Sequence, residues 1–160
     1  MSVSIDDPVD VIYFILNDKI EDTNIGTNVN VVLSKTWGTA NTKRFSVAKT
    51  VYVTLSGVDD KSEKADVFYN YENLEFLVQI DIECMKGARG LITQADKEVK
   101  RALQSARKIN HNTYTTGGTT IRNNYDVLYL TRKTDNTNRE AGIQHFTRFV
   151  QLKTRSKPLA

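Results

Sequence analysis

The chain of 160 residues contains one cysteine and two histidines, so it is poor in metal-binding and nucleophilic side chains. The single Cys84 excludes an internal disulfide framework and a cysteine-rich zinc site, because both need several thiols. The histidines, His111 and His145, have no further metal ligands at characteristic spacing. A Gly-x-Ser-x-Gly motif is also missing, and neither histidine has a nucleophile at a characteristic spacing. We therefore predict no catalytic residue, metal site or cofactor, and we expect that the protein is not an enzyme.

Long hydrophobic runs are missing as well. No apolar run approaches the roughly 18 residues that a membrane-spanning helix needs, and the first residues lack the pattern of a signal peptide. The contents of 39% hydrophobic and 26% charged residues are ordinary for a soluble globular chain. We expect one domain over residues 1–160, working in a reducing, aqueous compartment without a membrane partner.

Charge is unevenly distributed along the sequence. Residues 1–85 hold 7 Lys and Arg against 14 Asp and Glu, a net charge of −7, whereas residues 86–160 hold 15 against 5, a net charge of +10. Such an asymmetry is compatible with a basic face for nucleic acid, or with an acidic and a basic face that meet between identical copies. A fold that interleaves the two halves would instead mix the charges over the surface.

The strongest periodic signals lie in two neighbouring stretches. From Leu74 to Cys84 the apolar residues mostly alternate with polar ones, which is the pattern of a long strand with one solvated face. Over Leu91–Asn110 the apolar residues recur at spacings of three and four, which is typical of an amphipathic helix. These neighbours predict a two-layer domain in which the helix lies on the sheet.

The remaining elements are predicted from caps, alternation and turn residues. A first helix begins at Asp6-Asp7-Pro8, where a capping aspartate precedes a proline at the first helical position, and it ends near Asp22. Further strands are predicted over residues 28–33, 45–55, 65–71, 125–133 and 143–155. The predicted fold class is α+β: a mostly antiparallel sheet of about five to six strands with two amphipathic helices packed on it.

Polar, aperiodic stretches are predicted to connect these elements. Residues 34–49 form an exposed arm or a long hairpin arm, and residues 57–64 form a solvated turn. A hairpin turn is placed at Glu72-Asn73. The Thr-, Asn- and Gly-rich residues 111–124 are predicted to be a mobile connection.

Candidate contact residues are basic side chains and the single tryptophan. Trp37 lies in a polar, basic segment and is predicted to be a contact anchor, because Trp and Arg dominate interface energies. The alternative is a tryptophan folded back over the sheet edge. The full set of predicted interface residues is Lys35, Trp37, Lys43, Arg44, Lys97, Arg101, Arg132 and Arg148.

In the order and size of its elements, the chain resembles the tail-terminator (tail-completion) proteins of long-tailed bacteriophages and related viruses. The residues that carry the resemblance are Pro8–Leu16, Val78–Ile82 and Ala95–Leu103. The resemblance implies a ring of identical subunits, typically a hexamer, at the head-proximal end of the tail tube. Such a ring stops polymerisation of the tube protein and docks to a neck or connector protein, while DNA only passes through its lumen. It implies a location in the virion, after assembly in the host cytoplasm.

Two alternatives stay open at this point. One is a nucleic-acid-binding module that uses the basic helix 91–110 and a basic hairpin over residues 122–155. The other is a different neck or head-completion protein of the same virion, with the same fold and another docking partner.

Overall fold

The computed structural model describes residues 8–35, 50–64, 72–85, 89–107, 113–116, 119–122, 127–137 and 143–156. These residues form two α-helices, a short 3-10 helix at Asp22–Asn24 and eight strands. The helices are α1 (Pro8–Lys19) and α2 (Arg89–Arg107). The strands are β1 (Asn30–Lys35), β2 (Thr50–Lys64), β3 (Glu72–Met85), β4 (Thr113–Thr116), β5 (Thr119–Arg122), β6 (Val127–Leu130), β7 (Thr134–Asp135) and β8 (Ile143–Ser156).

Six strands form one sheet in the order β1-β2-β3-β8-β6, with β7 also paired to β8. The long strands β2, β3 and β8 are antiparallel to their neighbours in the centre, and β1 is parallel to β2 at the edge. The prediction of a mostly antiparallel α+β sheet carrying two helices is confirmed.

Both helices pack on the same face of this sheet. The inward residues of β2, β3 and β8 alternate along each strand and join the apolar residues of α1 and α2 in one core. Gly57 of β2 lies under α1, where a Cβ atom would come 3.5 Å from Val9 Cγ2. Arg148 of β8 reaches Asp96 of α2. Thus α1 covers the β2 side of the sheet and α2 covers the β8 side.

The strongest sequence signals give the most accurate predictions. The predicted strand over residues 74–84 and helix over residues 91–110 correspond to β3 and α2, and the predicted last strand corresponds to β8. The end of the predicted second helix, residues 108–110, lies outside the described residues. Cys84 is buried, as its place on the apolar phase of β3 predicts.

The predicted turn at residues 57–64 is wrong, because these residues continue β2 as far as Lys64. They pair with Val78 down to Glu72, with a register shift between Gly57 and Asp59. Glu72 and Asn73 are therefore paired strand residues of β3, and the predicted turn at these two positions is also wrong. The predicted strand over residues 65–71 lies outside the described residues.

The predicted connection over residues 111–124 contains a β-hairpin, in which β4 and β5 pair from Thr113↔Arg122 to Thr116↔Thr119. This hairpin lies beside α1 rather than in the main sheet. The helix α1 itself is buried on more than one side: Val11, Phe14 and Ile15 are buried together with Val9, Ile12 and Leu16.

The parallel pairing of β1 with β2 also bears on the predicted arm. Asn30 pairs with Thr50 and Lys35 with Leu55, so Lys35 and Thr50 lie at opposite ends of the strand pair. β1 and β2 are therefore not themselves the two strands of one hairpin, because a hairpin joins antiparallel strands. Residues 36–49 of the predicted arm lie outside the described residues.

Candidate functional site

The outer side of α2 is a basic surface. Lys97, Lys100 and Arg101 are exposed, together with Gln94 and Gln104, and we call these five residues the basic face of α2. Lys97 and Lys100 make no ion pair with any described residue. The helix places them at i and i+3, on one side, because its inward positions hold Ile92, Ala95 and Val99.

Arg101 differs from these lysines because it has partners within the subunit. Its Nε donates to Glu98 Oε1 at 2.6 Å, and its Nη2 donates to the backbone oxygen of Lys19 at 2.7 Å. The Glu98 side chain is buried, so the guanidinium neutralises a carboxylate that would otherwise lose hydration without compensation. Arg101 therefore connects the end of α1 to α2 and also contributes charge to the basic face.

Arg148 is buried beneath α2, with only 9% of its surface exposed. Its Nε and Nη2 donate to the two carboxylate oxygens of buried Asp96 at 2.5 and 2.8 Å, and its Nη1 donates to the Thr131 oxygen at 2.9 Å. This bidentate pair joins α2 to β8 from within. The structure thus places this predicted interface residue in the interior, where its charge serves the fold of the subunit.

The opposite side of the sheet carries neither helix. We call the outward residues of the central strands the helix-free face; its described members include Glu75, Leu77, Gln79, Asp81 and Glu83 of β3, and His145, Thr147, Phe149, Gln151 and Lys153 of β8. Among the side chains of this face that the structure describes, three carboxylates lie along β3 and one lysine lies on β8. This described part of the helix-free face is therefore net acidic, whereas the basic face of α2 is net basic.

A polar network lies at the centre of this face. Asp81 Oδ1 is 2.8 Å from His145 Nε2 and accepts a hydrogen bond from Thr147 Oγ1 at 2.9 Å. Gln79 Nε2 donates to the same carboxylate at 2.9 and 3.1 Å, and Asn136 Nδ2 donates to Thr147 Oγ1 at 2.8 Å. Burial alone would raise the pKa of Asp81, but the hydrogen bonds from His145, Thr147 and Gln79 outweigh it and lower the pKa below 3.8.

The Asp81, His145 and Thr147 cluster has the residue types of a hydrolytic triad but a different arrangement. In a triad the acid holds one imidazole nitrogen and the nucleophile uses the other. Here both partners contact the same nitrogen, with Thr147 Oγ1 3.3 Å from His145 Nε2, and the hydroxyl donates to Asp81. This geometry stabilises a carboxylate between β3 and β8 and does not activate the Thr147 hydroxyl.

Apolar side chains lie beside this network. Tyr129 of β6 is 53% exposed and is paired with Gln151 of β8, which places it on the helix-free face. Half-buried Phe149 is two residues from Gln151 on β8, the strand next to β6, and half-buried Leu77 lies one strand further on, opposite Gln151 on β3. Phe149 is therefore diagonal to both Tyr129 and Leu77. We call Tyr129, Phe149 and Leu77 the apolar patch. An exposed aromatic with apolar neighbours is common at the centre of protein interfaces.

The other predicted interface residues have separate positions. Lys35, at the end of β1, forms an ion pair with Asp10 of α1, and its Nζ lies 4.9 Å from the centre of the Tyr13 ring. Arg132 is exposed in the segment between β6 and β7. Trp37, Lys43 and Arg44 lie outside the described residues. The structure therefore brings Lys97 and Arg101 together on α2 but does not join Lys35 or Arg132 to them.

Sequence reasoning missed the helix-free face as a functional candidate. The alternation of β3 and β8 shows which residues face away from the core, and that signal was sufficient to place Asp81 and Phe149 on one side. The pairing of these strands, which are far apart in the sequence, could be identified only from the structure.

Among the described residues no group of three or more His, Cys, Asp or Glu side chains is placed to hold a metal ion. No helix within the same residues has both the length and the apolar character to cross a membrane.

The fold is similar to that of a chain in the virion of a native gene transfer agent (GTA) particle. The TM-score is 0.58 at 12% sequence identity, and the match covers 96% of this chain and 100% of that chain. A second solved chain, at 9% identity, has a TM-score of 0.35 with 94% of this chain and 96% of that chain covered, which is too weak to support an argument. No protein-family model and no curated protein sequence matches the chain. The first comparison therefore establishes a shared fold over nearly the whole length.

Proposed function

We propose that this protein is a structural component of a phage-like virion, and that it acts as a tail terminator. In this role a ring of identical copies caps the tail tube, stops polymerisation of the tube protein and joins the tail to the neck or head connector. The protein would act through its surfaces and would not catalyse a reaction. DNA would pass through the lumen of the ring without being recognised by its sequence.

The observation that supports this proposal most is the end-to-end match of the fold to a chain of the GTA virion, at a TM-score of 0.58. The sequence independently resembles tail-terminator proteins in the order of its helices and strands. A fold hosts many functions, so the likeness supports a virion role by analogy. The chemistry of the described residues agrees with it, because the Asp81 network holds strands together and does not activate a nucleophile.

The shape and charge of the subunit fit a ring. A ring needs two different surfaces on each copy, which meet head to tail. The basic face of α2 and the acidic helix-free face lie on opposite sides of the subunit, so one copy can present both at once. The nucleic-acid-binding alternative is weaker, because Arg148 of its proposed hairpin is buried against Asp96.

Size-exclusion chromatography with light scattering tests the proposal. We expect the purified protein to form a discrete oligomer of several subunits at high concentration, visible as closed rings by negative-stain electron microscopy. A monomer at every concentration and salt would contradict the proposal. If such a monomer also bound duplex DNA with an affinity that fell steeply with salt, the nucleic-acid-binding alternative would replace it.

A further inference from the structure

The two outer surfaces of the subunit differ in charge and lie on opposite sides of a two-layer domain. The basic face of α2 carries Lys97, Lys100 and Arg101, with Glu98 buried beneath it as the partner of Arg101. Among the side chains of the helix-free face that the structure describes, the carboxylates are Glu75, Asp81 and Glu83, and the single lysine is Lys153. One surface thus has an excess of positive charge and the other an excess of negative charge.

We propose that α2 of one copy lies on the helix-free face of the next copy, so that each subunit covers part of its neighbour's sheet. This inference rests on the proposed ring and specifies the contact that builds it. The contact is heterologous, since two different surfaces of the same chain meet. Repeating this contact generates a closed ring when a whole number of equal rotations brings the last copy back to the first.

Charge complementarity is the first argument that α2 of a neighbouring copy covers the helix-free face. Lys97 and Lys100 lie on adjacent turns of α2 and make no ion pair with any described residue, so no described carboxylate offsets their mutual repulsion through an ion pair. A neighbouring face with carboxylates along β3 would relieve this repulsion. It would also orient the two copies during encounter, because oppositely charged surfaces steer association.

The apolar patch is the second argument. Tyr129 is one of the two large hydrophobic residues that are strongly exposed in the described part of the chain, with Phe149 diagonal to it on β8 and Leu77 one strand further on in β3. Lysine is suited to cover such a patch, because its aliphatic stem packs on apolar surface while its ammonium contacts an aromatic face. The same side chains of α2 would therefore serve both the acidic and the aromatic parts of the helix-free face.

A charge-swap experiment on the full chain tests this contact. The variant Lys97→Glu with Lys100→Glu reverses the basic face, and we expect it to raise the subunit concentration at half-assembly about tenfold or more. The variant Glu75→Lys with Glu83→Lys reverses the acidic face and is expected to weaken assembly in the same way. Combining all four substitutions in one chain restores opposite charges at every contact, so assembly should recover.

A matched control separates this contact from the effect of overall charge. Arg132→Glu with Lys133→Glu makes the same change in net charge at two exposed residues that belong to neither face. It also removes the contact of Lys133 Nζ with the Phe146 ring, whose centre is 4.2 Å away, so its folded state is checked first. It is expected to assemble like the wild type. Tyr129→Ala, which removes an exposed ring without changing charge, is expected to weaken assembly. Circular dichroism checks that each variant is folded, and light scattering measures its mass.

The possible results of these experiments distinguish failure of the proposed contact from failure of the proposed ring. If the wild type forms rings and the reversed α2 variant forms them equally well, the contact is refuted while the proposed function stands. An equal loss of assembly in the Arg132 and Lys133 control, or a folded fourfold variant that stays dissociated, also overturns the contact. A wild type that is monomeric under all conditions overturns the proposed function and the contact with it.

Discussion

Asp81 shows how one side chain can hold two strands together on a solvated face. Its carboxylate receives hydrogen bonds from Gln79 on its own strand and from Thr147 on β8, and it contacts His145 there as well. Together these interactions lower its pKa in the folded protein. The ionised form is therefore the one that the fold stabilises.

We predict that Asp81→Asn lowers the free energy of unfolding at pH 7 by about 1–3 kcal/mol, because a charged acceptor of several hydrogen bonds becomes neutral. A carboxyl whose pKa is lowered by folding contributes stability above its ordinary value of 3.8 and loses it as the pH falls through the folded pKa. The difference from the wild type should thus shrink below that pH. Urea unfolding at a series of pH values measures it, with exposed Asp18→Asn as the control. A difference that persists unchanged at the lowest pH would contradict the prediction.

Cys84 is a second residue whose chemistry follows from its position. It is buried, and burial raises its pKa to about 11. At pH 8 roughly one molecule in a thousand would carry the thiolate, and the fold would also block reagents from reaching it. We predict no reaction with a thiol reagent in the native protein and complete reaction in urea. Val58→Cys, at an exposed position, should add one thiol that reacts in the native state. Rapid labelling of Cys84 in native wild type would show that β3 opens easily.

At the scale of elements, α2 is attached to the sheet by a buried ion pair as well as by apolar residues. Asp96 and Arg148 are both buried, and each would be left without its charged partner if the other were removed. We predict that Arg148→Met or Asp96→Leu alone lowers the free energy of unfolding by about 3–5 kcal/mol. Combining Asp96→Leu with Arg148→Met should cost less than either single change, because no buried charge then lacks a partner.

Urea unfolding of the single and double variants gives this comparison as a double-mutant cycle. Exposed Lys97→Met is the matched control on the same helix and should stay within about 0.5 kcal/mol of the wild type. Additive losses in the double variant would mean that the two charges are not coupled.

The elements with one solvated and one buried face were predictable from sequence. In β3 and β8 the inward and outward residues differ in polarity, so the period is visible in the residues themselves. The second half of β2 is polar or charged at nearly every position from Ser56 to Lys64, so it has no alternation to detect. Its strand conformation depends on pairing with β3, which is a tertiary interaction.

At the β4–β5 hairpin and at Arg148, the sequence contained a signal for the observed structure, but a second signal favoured a different prediction. Thr-rich stretches around Gly117-Gly118 fit a hairpin, since threonine favours strands and paired glycines favour tight turns, although the same composition is typical of loops. Arg148 shares the phase of Phe146, Val150 and Leu152, which indicates burial, whereas its charge indicates exposure. The deciding partner, Asp96, lies 52 residues away and could not be identified from spacing.

At the scale of the whole molecule, one hydrophobic core includes residues of both helices and of β2, β3 and β8. No described helix has a core separate from this one, so loss of one element exposes residues that support the others. We predict a single unfolding transition, with coincident midpoints for far-ultraviolet and near-ultraviolet circular dichroism. Separate midpoints would show that α1 with its hairpin, or α2, unfolds independently of the sheet. Measurements at low protein concentration keep assembly from changing the apparent stability.

The position of β8 has a consequence for how the chain is made. This strand lies between β3 and β6 in the sheet, although it follows every other described element along the chain. While a ribosome is still translating residues 143–156, β3 has an edge with no partner and its apolar residues have no opposite strand. The nascent polypeptide therefore remains incompletely folded, and accessible to chaperones, until β8 has emerged from the ribosome. Copies would become competent to join one another only after β8 has paired with β3, so incompletely folded subunits would not associate prematurely.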